Sequence, residues 1–359
     1  MSQSIRVNLN SQSYPILLGT SFLNDTLLVR HLRYKNVLIV TNEHIAPLYL
    51  EPLLQHLESL DKVETLILPA GEQYKNLASL ELIATTLLKK NFGRDTTLIA
   101  LGGGVIGDLT GFAASCYQRG TDFIQMPTTL LAQVDASVGG KTAINHNLGK
   151  NMLGAFYQPR AVLIDIATLN TLPEREFVSG LAEVVKYGAI WDQQFFHWLE
   201  AHTQRIIDKD KEALCYLIKK CCEIKAYIVE QDEREHHIRA LLNFGHTFAH
   251  AIEAQTHYQQ YLHGEAVAIG MCMAAQLSAH LDLISFADVE RLRTLLKKLQ
   301  IPLNLRHEAS YDEYVTLMQR DKKNSQGSIH FVLLESLGKA KIMKHVPNNL
   351  LQQVIKGYT

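Results

Sequence analysis

The sequence lacks a disulfide framework. Its five cysteines, Cys116, Cys215, Cys221, Cys222 and Cys272, are odd in number, form no CxxC pair and set Cys221 beside Cys222. That spacing suits neither a stapled secreted fold nor a cysteine zinc site, and it fits a reducing cytoplasm. No apolar run is longer than a strand, so no bilayer span is expected. Met1 to Leu9 offers no basic flank ahead of an apolar core, so no signal peptide is expected either. An excess of one charge is also missing: 35 Lys+Arg against 36 Asp+Glu give a formal net charge of -1. Bulk electrostatics therefore point to no nucleic-acid or membrane partner, and any anion site must be a local cluster of cations.

What is present is a chain of 359 residues, 47% hydrophobic and 20% charged, which is more than one core usually organises. The first half alternates strand-like and helix-like runs. Strands are expected at Ile5 to Leu9, Val37 to Val40, Val63 to Leu68, Thr97 to Leu101, Phe123 to Met126 and Val162 to Ile166. Several are continuously apolar, as in a parallel sheet covered on both faces. Helical patterns, Ile45 to Glu58 and Leu77 to Lys90, lie between them. After Pro173 the period becomes helical, through Glu176 to Tyr187, Leu214 to Glu230, Phe244 to Ala254 and Glu265 to Leu281. A hairpin, Ile329 to Leu334 with Ala340 to Met343, comes late. The reading is an α/β Rossmann-like domain at 1–173 and an all-α domain at 174–359.

Gly102, Gly104 and Gly107 match G-x-G-x-x-G between a strand and a helical pattern starting at Leu109. Glycines there let backbone amides and the helix dipole hold a pyrophosphate. The acidic residue that usually ends the next strand is missing, because that strand ends at Pro127 and Asp122 precedes it. The ribose must be held elsewhere, and Asn42, Glu72 and Lys75 lie at the proper strand ends. The run Gly139-Gly140-Lys141-Thr142 is not a P-loop, since Asp135 stands where the first glycine belongs. It reads as a turn presenting Lys141 to an anion.

The helical half holds Glu183 and Lys186 three apart, His246 and His250 one turn apart, and His263-Gly264-Glu265 at a helix start. An ordinary i,i+3 ion pair is the plain reading of the first. A catalytic zinc site needs about three protein ligands. Spacing alone leaves those ligands open among Glu183, His246, His250 and His263. Thr247 stands where a zincin protease has its glutamate, which removes that reading.

Together, GGGVIGDLTGF (Gly102 to Phe112), PTTLLAQVDASVGGKTAIN (Pro127 to Asn145), GKNMLGAFYQP (Gly149 to Pro159), GLAEVVKYG (Gly180 to Gly188), LLNFGHTFAHAIE (Leu241 to Glu253), LHGEAVAIGM (Leu262 to Met271) and RDKKN (Arg320 to Asn324) resemble the 3-dehydroquinate synthases. The resemblance implies an active site in the cleft between an NAD-binding domain and a helical one. It makes Glu183, His246 and His263 the ligands of a divalent ion, zinc or cobalt, with His250 on the substrate side. For NAD it implies Asn42, Gly71, Glu72, Gln73, Tyr74 and Lys75. It adds Gly103, Gly104, Val105, Ile106, Gly107, Asp108, Thr128 and Thr129, then Thr168, Leu169, Asn170 and Thr171. Lys141 and Lys150 would face both cofactor and substrate. For the substrate it implies Asp135, Asn151, Lys186, Lys225, Arg239, Asn243 and His250, with one of Lys322 and Lys323. Arg119 would reach the neighbouring site of a homodimer.

The implied reaction is the second step of the shikimate pathway. A carbon–oxygen lyase takes 3-deoxy-D-arabino-heptulosonate 7-phosphate to 3-dehydroquinate and phosphate, by transient oxidation, β-elimination, re-reduction, ring opening and aldol closure. The cationic pool of Lys141, Lys150, Lys186, Lys225, Arg239 and Arg119 suits a substrate with a carboxylate and a phosphate. A metal-dependent alcohol or glycerol dehydrogenase, or another sugar-phosphate cyclase, are the alternatives. A dehydrogenase has no phosphate for those cations to hold.

Overall fold

The computed structural model describes residues 3–22, 27–256, 259–305, 311–319 and 329–358. Strands are β1 (Gln3–Val7), β2 (Tyr14–Gly19), β3 (Asn36–Asn42), β4 (Lys62–Leu68), β5 (Thr96–Gly102), β6 (Asp122–Pro127), β7 (Lys141–His146), β8 (Gly149–Phe156), β9 (Ala161–Asp165), β10 (Phe331–Ser336) and β11 (Lys339–Met343). Helices are α1 (Ala46–Gln55), α2 (Leu77–Lys89), α3 (Gly104–Cys116), α4 (Glu174–Ile190), α5 (Gln193–Ala201), α6 (Thr203–Ile207), α7 (Lys211–Gln231), α8 (His246–Gln255), α9 (His263–His280), α10 (Phe286–Lys298), α11 (Tyr311–Gln319) and α12 (Asn348–Lys356). No described helix is long and apolar enough to cross a membrane.

The chain divides into two compact units, Met1–Leu172 with Ile218–Arg234, and Pro173–Leu217 with Glu235–Thr359. The first break falls between Leu172 and Pro173. Residues 218–234, read as part of the helical half, cluster instead with the sheet.

The first unit is built on a seven-stranded sheet of order β1-β2-β9-β6-β5-β3-β4. Only β1 runs antiparallel, against β2; the other pairs are parallel. Alternation along the strands feeds two cores. Leu38, Val40, Leu98 and Ala100 face one with α2 and α3, while Val37, Ile39, Ile99 and Leu101 face the other with α1. Every residue of β5 is buried, and its stretch Leu98 to Leu101 reads as an unbroken apolar run. A separate hairpin, β7 with β8, carries Lys141, Lys150 and Asn151. In the second unit α9 is buried along most of its length, Gly264 to Ala279, and its small residues let α4 and α8 pack close. The late hairpin, β10 with β11, forms as read.

Candidate active site

In the first unit, parallel pairing brings the carboxyl ends of the strands to one edge: Asn42 lies opposite Leu68, and Gly102 opposite Pro127. Ligands of open α/β sheets bind at that edge. The strand, glycine turn and helix occur in the order read from the sequence, though α3 begins at Gly104 rather than Leu109. Its N-cap, Gly103, has no side chain to satisfy the first-turn amides, and no acidic residue stands in that turn. A Cβ on Gly103 would lie 3.0 Å from Thr129 Cγ2, and one on Gly107 2.7 Å from Gln125 Oε1. The turn thus lies directly against the Thr128–Thr129 segment, where Thr128 N donates to Gly102 O at 3.0 Å. The Thr128 hydroxyl is buried with no hydrogen-bond partner. Uncapped amides beside an unsatisfied buried hydroxyl fit the phosphates of a dinucleotide.

Side chains around this edge interlock. Lys75 Nζ lies 2.5 Å from Asp108 Oδ2 and donates to Asn151 Oδ1 at 2.6 Å. Burial pushes the Asp108 carboxyl above its ordinary pKa, and the Lys75 ammonium opposes that rise. Asn145 ties the group together: its Nδ2 donates to Glu72 Oε1 at 2.8 Å, its N to Lys75 O at 2.8 Å, and its Oδ1 accepts from Asn151 N at 2.9 Å. Gly71, with φ at 122°, opens the Glu72–Tyr74 turn that carries Gln73. Val105 and Ile106 sit in the first turn of α3, Ile106 packed onto Gly102. Asn42 Oδ1 accepts from His44 N and Ile45 N, both at 3.0 Å, which fixes the turn ahead of α1. Asp165 begins a helical turn holding Thr168, Leu169 and Asn170, and Thr171 ends it. Tyr49 OH donates to Thr168 O and pairs with the Thr171 hydroxyl. Asp135, on a single wide turn at Ala132–Ala136, meets Lys225 Nζ at 2.9 Å.

Arg119 is exposed at the tip of a strained turn. Gln118, Arg119 and Gly120 have φ of 47°, 72° and 123°. Tyr117 OH, bonded to Phe92 O at 2.6 Å, and Tyr157 OH, bonded to Thr121 O at 2.8 Å, hold it.

In the second unit, Glu183 on α4, His246 on α8 and His263 on α9 each offer a ligand atom, all within 4.8 Å of one another. Among the described residues this is the one such group found, and His250 is outside it. His246 Nε2 and His263 Nε2 stand 3.7 and 3.8 Å from Glu183 Oε1. The His250 ring meets that of His246 edge-on, 5.7 Å between centroids. Glu183 is 1% exposed, and neither carboxylate oxygen accepts a hydrogen bond of regular geometry, although the Lys186 ammonium lies against Oε2. The i,i+3 ion pair and the histidine cluster are therefore both present. One carboxylate and two imidazoles are a donor set that fits a catalytic zinc-like ion with a position left open.

Two glycines make this convergence. Gly245 has φ of 80°, which ends the preceding turn, Ile238–Asn243, and starts α8 at His246 rather than Phe244. Gly264 lets α9 touch α4: an added Cβ would lie 1.8 Å from Ser179 O. Gly264 N donates to Ser179 Oγ at 3.1 Å, and Arg175 holds Glu265 with contacts of 2.7 and 2.8 Å. In the same unit Arg239 is buried, and Asn243 Nδ2 donates to Glu235 Oε1 at 2.7 Å. Lys322 and Lys323, with the rest of RDKKN, lie outside the described residues.

Sequence reasoning passed over Asn145, Gln133, Arg175 and Glu253. Gln133 Nε2 donates to Pro127 O, Asp165 O and Thr168 Oγ1 at 3.0–3.2 Å, joining two strand ends. None of the four stands at a spacing that announces a role.

Comparison with known proteins agrees with this geometry. Residues 65–179 match the family model described as 3-dehydroquinate synthase N-terminal, and 180–324 the one described as C-terminal. The chain is 53% identical over 356 residues to a 3-dehydroquinate synthase of Shewanella sp. (strain MR-4), covering 99% of each chain. Among solved structures it resembles the 2-epi-5-epi-valiolone synthase ValA of Streptomyces hygroscopicus subsp. jinggangensis 5008, determined with NAD+ and Zn2+ bound. The TM-score is 0.90, at 27% identity and 98% coverage of both chains. A 2-deoxy-scyllo-inosose synthase complexed with carbaglucose-6-phosphate, NAD+ and Co2+ shares the fold, with TM-score 0.91 at 24% identity over 99% of this chain and 100% of that one. The chain belongs to the 3-dehydroquinate synthase family.

Proposed function

We propose that this chain converts 3-deoxy-D-arabino-heptulosonate 7-phosphate to 3-dehydroquinate and phosphate, with NAD+ in its first unit and one divalent ion, Zn2+ or Co2+, in its second. The observation that carries this reading is the group of Glu183, His246 and His263 in a member of this family. When bound, NAD+ would supply a reversible hydride acceptor and the ion a Lewis acid for vicinal hydroxyls.

The chain's own residues hold and orient. The amides opening α3 and the buried Thr128 hydroxyl receive the dinucleotide phosphates. Lys75, Asp108, Glu72 and Asn151, fixed by Asn145, line the same edge. Lys141 and Lys150 on the hairpin, with Lys225 beside Asp135, offer positive charge to phosphate and carboxylate. Lys186, Arg239, Asn243 and His250 flank the ligand group in sequence and in their unit. These are positioning and charge-stabilising roles, which suit a substrate that carries its own base in its phosphate. We further propose a homodimer in which Arg119 enters the partner's site, supported by its strained, exposed turn. The five free cysteines support a cytoplasmic setting.

The test is phosphate release from the heptulosonate phosphate. Release should need NAD+, accumulate no NADH, stop with a chelator and return with Zn2+ or Co2+. Net NADH formation from a polyol, without phosphate release, would replace this reading with that of a dehydrogenase. Glu183→Ala should lower turnover by roughly a thousandfold or more while leaving NAD+ affinity intact. Lys141→Ala should reduce turnover far more than NAD+ binding.

A further inference from the structure

We infer that Glu253 is the positioning residue of the metal centre, holding His263 in the tautomer and orientation that a metal ligand needs. The inference rests on the reading of Glu183, His246 and His263 as ligands. The two histidines are held differently. His246 Nδ1 lies 3.2 Å from Phe244 O, a neutral carbonyl two residues away. His263 Nδ1 lies 3.2 Å from Glu253 Oε1, a carboxylate that is 2% exposed. With Glu253 ionised its carboxylate only accepts, and Nδ1 of His263 is then the protonated nitrogen. Its Nε2 lone pair then points toward Glu183, 3.8 Å away.

Helix geometry explains how one element does two jobs. Glu253 follows His246 by seven residues on α8, two turns along one face. That helix supplies one ligand directly and anchors the other, which belongs to α9. The N-terminus of α9 is fixed independently by Gly264 against Ser179 and by Arg175 on Glu265. Those contacts place the His263 backbone, and the Glu253 contact acts on the imidazole ring itself. A carboxylate behind a ligating imidazole also makes it a better donor, and loss of such a partner typically weakens metal binding about 10–100-fold.

The experiment measures zinc affinity by competition with a chromophoric chelator, and the visible spectrum of the Co2+-loaded protein, for the parent, Glu253→Gln and Glu253→Ala. Affinity for NAD+ and far-UV circular dichroism report on the fold. Zinc binding in Glu253→Ala should weaken about 10–100-fold with a shifted cobalt band and unchanged NAD+ affinity. Glu253→Gln, whose amide oxygen can still accept from Nδ1, should keep the parent band and lose about threefold or more in affinity. Zinc affinity within twofold of the parent and an unchanged cobalt band in the alanine variant overturn the inference. Where that variant does not fold, a glutamine variant indistinguishable from the parent in both measurements does so. A parent chain that binds neither metal sinks the ligand reading itself.

Discussion

The two units assemble their candidate sites by opposite means. In the first, backbone does most of the work: parallel strands end together, a glycine turn exposes amides, and Lys75, Asp108, Asn145 and Asn151 lock around it. In the second, three side chains from three helices converge, and the site exists only where helix axes come close enough. The glycine turn at the centre of the first, Gly102 to Gly107, is written in one contiguous stretch. A site made by helix contact depends on residues that never touch a ligand. The units should accordingly fail separately.

The sharpest way to break the comparison is Gly264→Ala. A Cβ 1.8 Å from Ser179 O must push α9 from α4, carrying His263 away from Glu183. Zinc affinity should fall by about a hundredfold or more, in line with loss of a ligand, together with several kcal/mol of stability. NAD+ affinity, read by titration on the folded fraction, should hold. Equal losses of both ligands would show that the units do not fail separately.

A change in the first unit should give the mirror result. Lys75→Ala leaves the Asp108 carboxylate buried without its cation, at a cost of about 2–3 kcal/mol, since Asp108 keeps some exposure. Lowered thermal stability and weaker NAD+ binding are expected, with the chelator-measured zinc affinity unchanged.

A change of pH treats the units alike. Burial pushes the Cys222 and Cys272 thiols up to about 12 from an ordinary 9.0. Above pH 9 the unfolded chain sheds protons that the folded chain keeps, so stability falls as pH climbs toward 12. Each thiol contributes a slope of about 1.4 kcal/mol per pH unit in that window. Tyr314 and Tyr358, also raised by burial, act in the same direction. Thermal melts from pH 8 to pH 11 should show the decline, and Cys222→Ala with Cys272→Ala should flatten it. At pH 8 a disulfide reagent should reach exposed Cys116 and spare both buried thiols.

The same contrast governs what could be read in advance. Buried on both faces, β3, β5 and β9 appear as apolar runs, and the glycine turn follows β5 without a break. The hairpin of β7 and β8 went unread because Met152, Leu153 and Phe156 are exposed, leaving no period of two along β8. The turn before it, at Gly139 and Gly140, was legible from its glycines. Residues 218–234 carry a helical period that says nothing about which core they join. In the second unit the histidine spacing was visible, but choosing among four residues needed either a resemblance or coordinates. No local pattern shows that Gly264 is where two helices meet, or that Glu253 backs His263.

The turn at Gln118, Arg119 and Gly120 carries one more consequence. Its unfavourable torsions are held by hydrogen bonds within a single chain, from Tyr117, Thr121 and Tyr157. The entropy of ordering that stretch is spent when the chain folds, not when something docks. Whatever the Arg119 guanidinium meets, it meets from a backbone already set, so little of the encounter's free energy goes into shaping the loop.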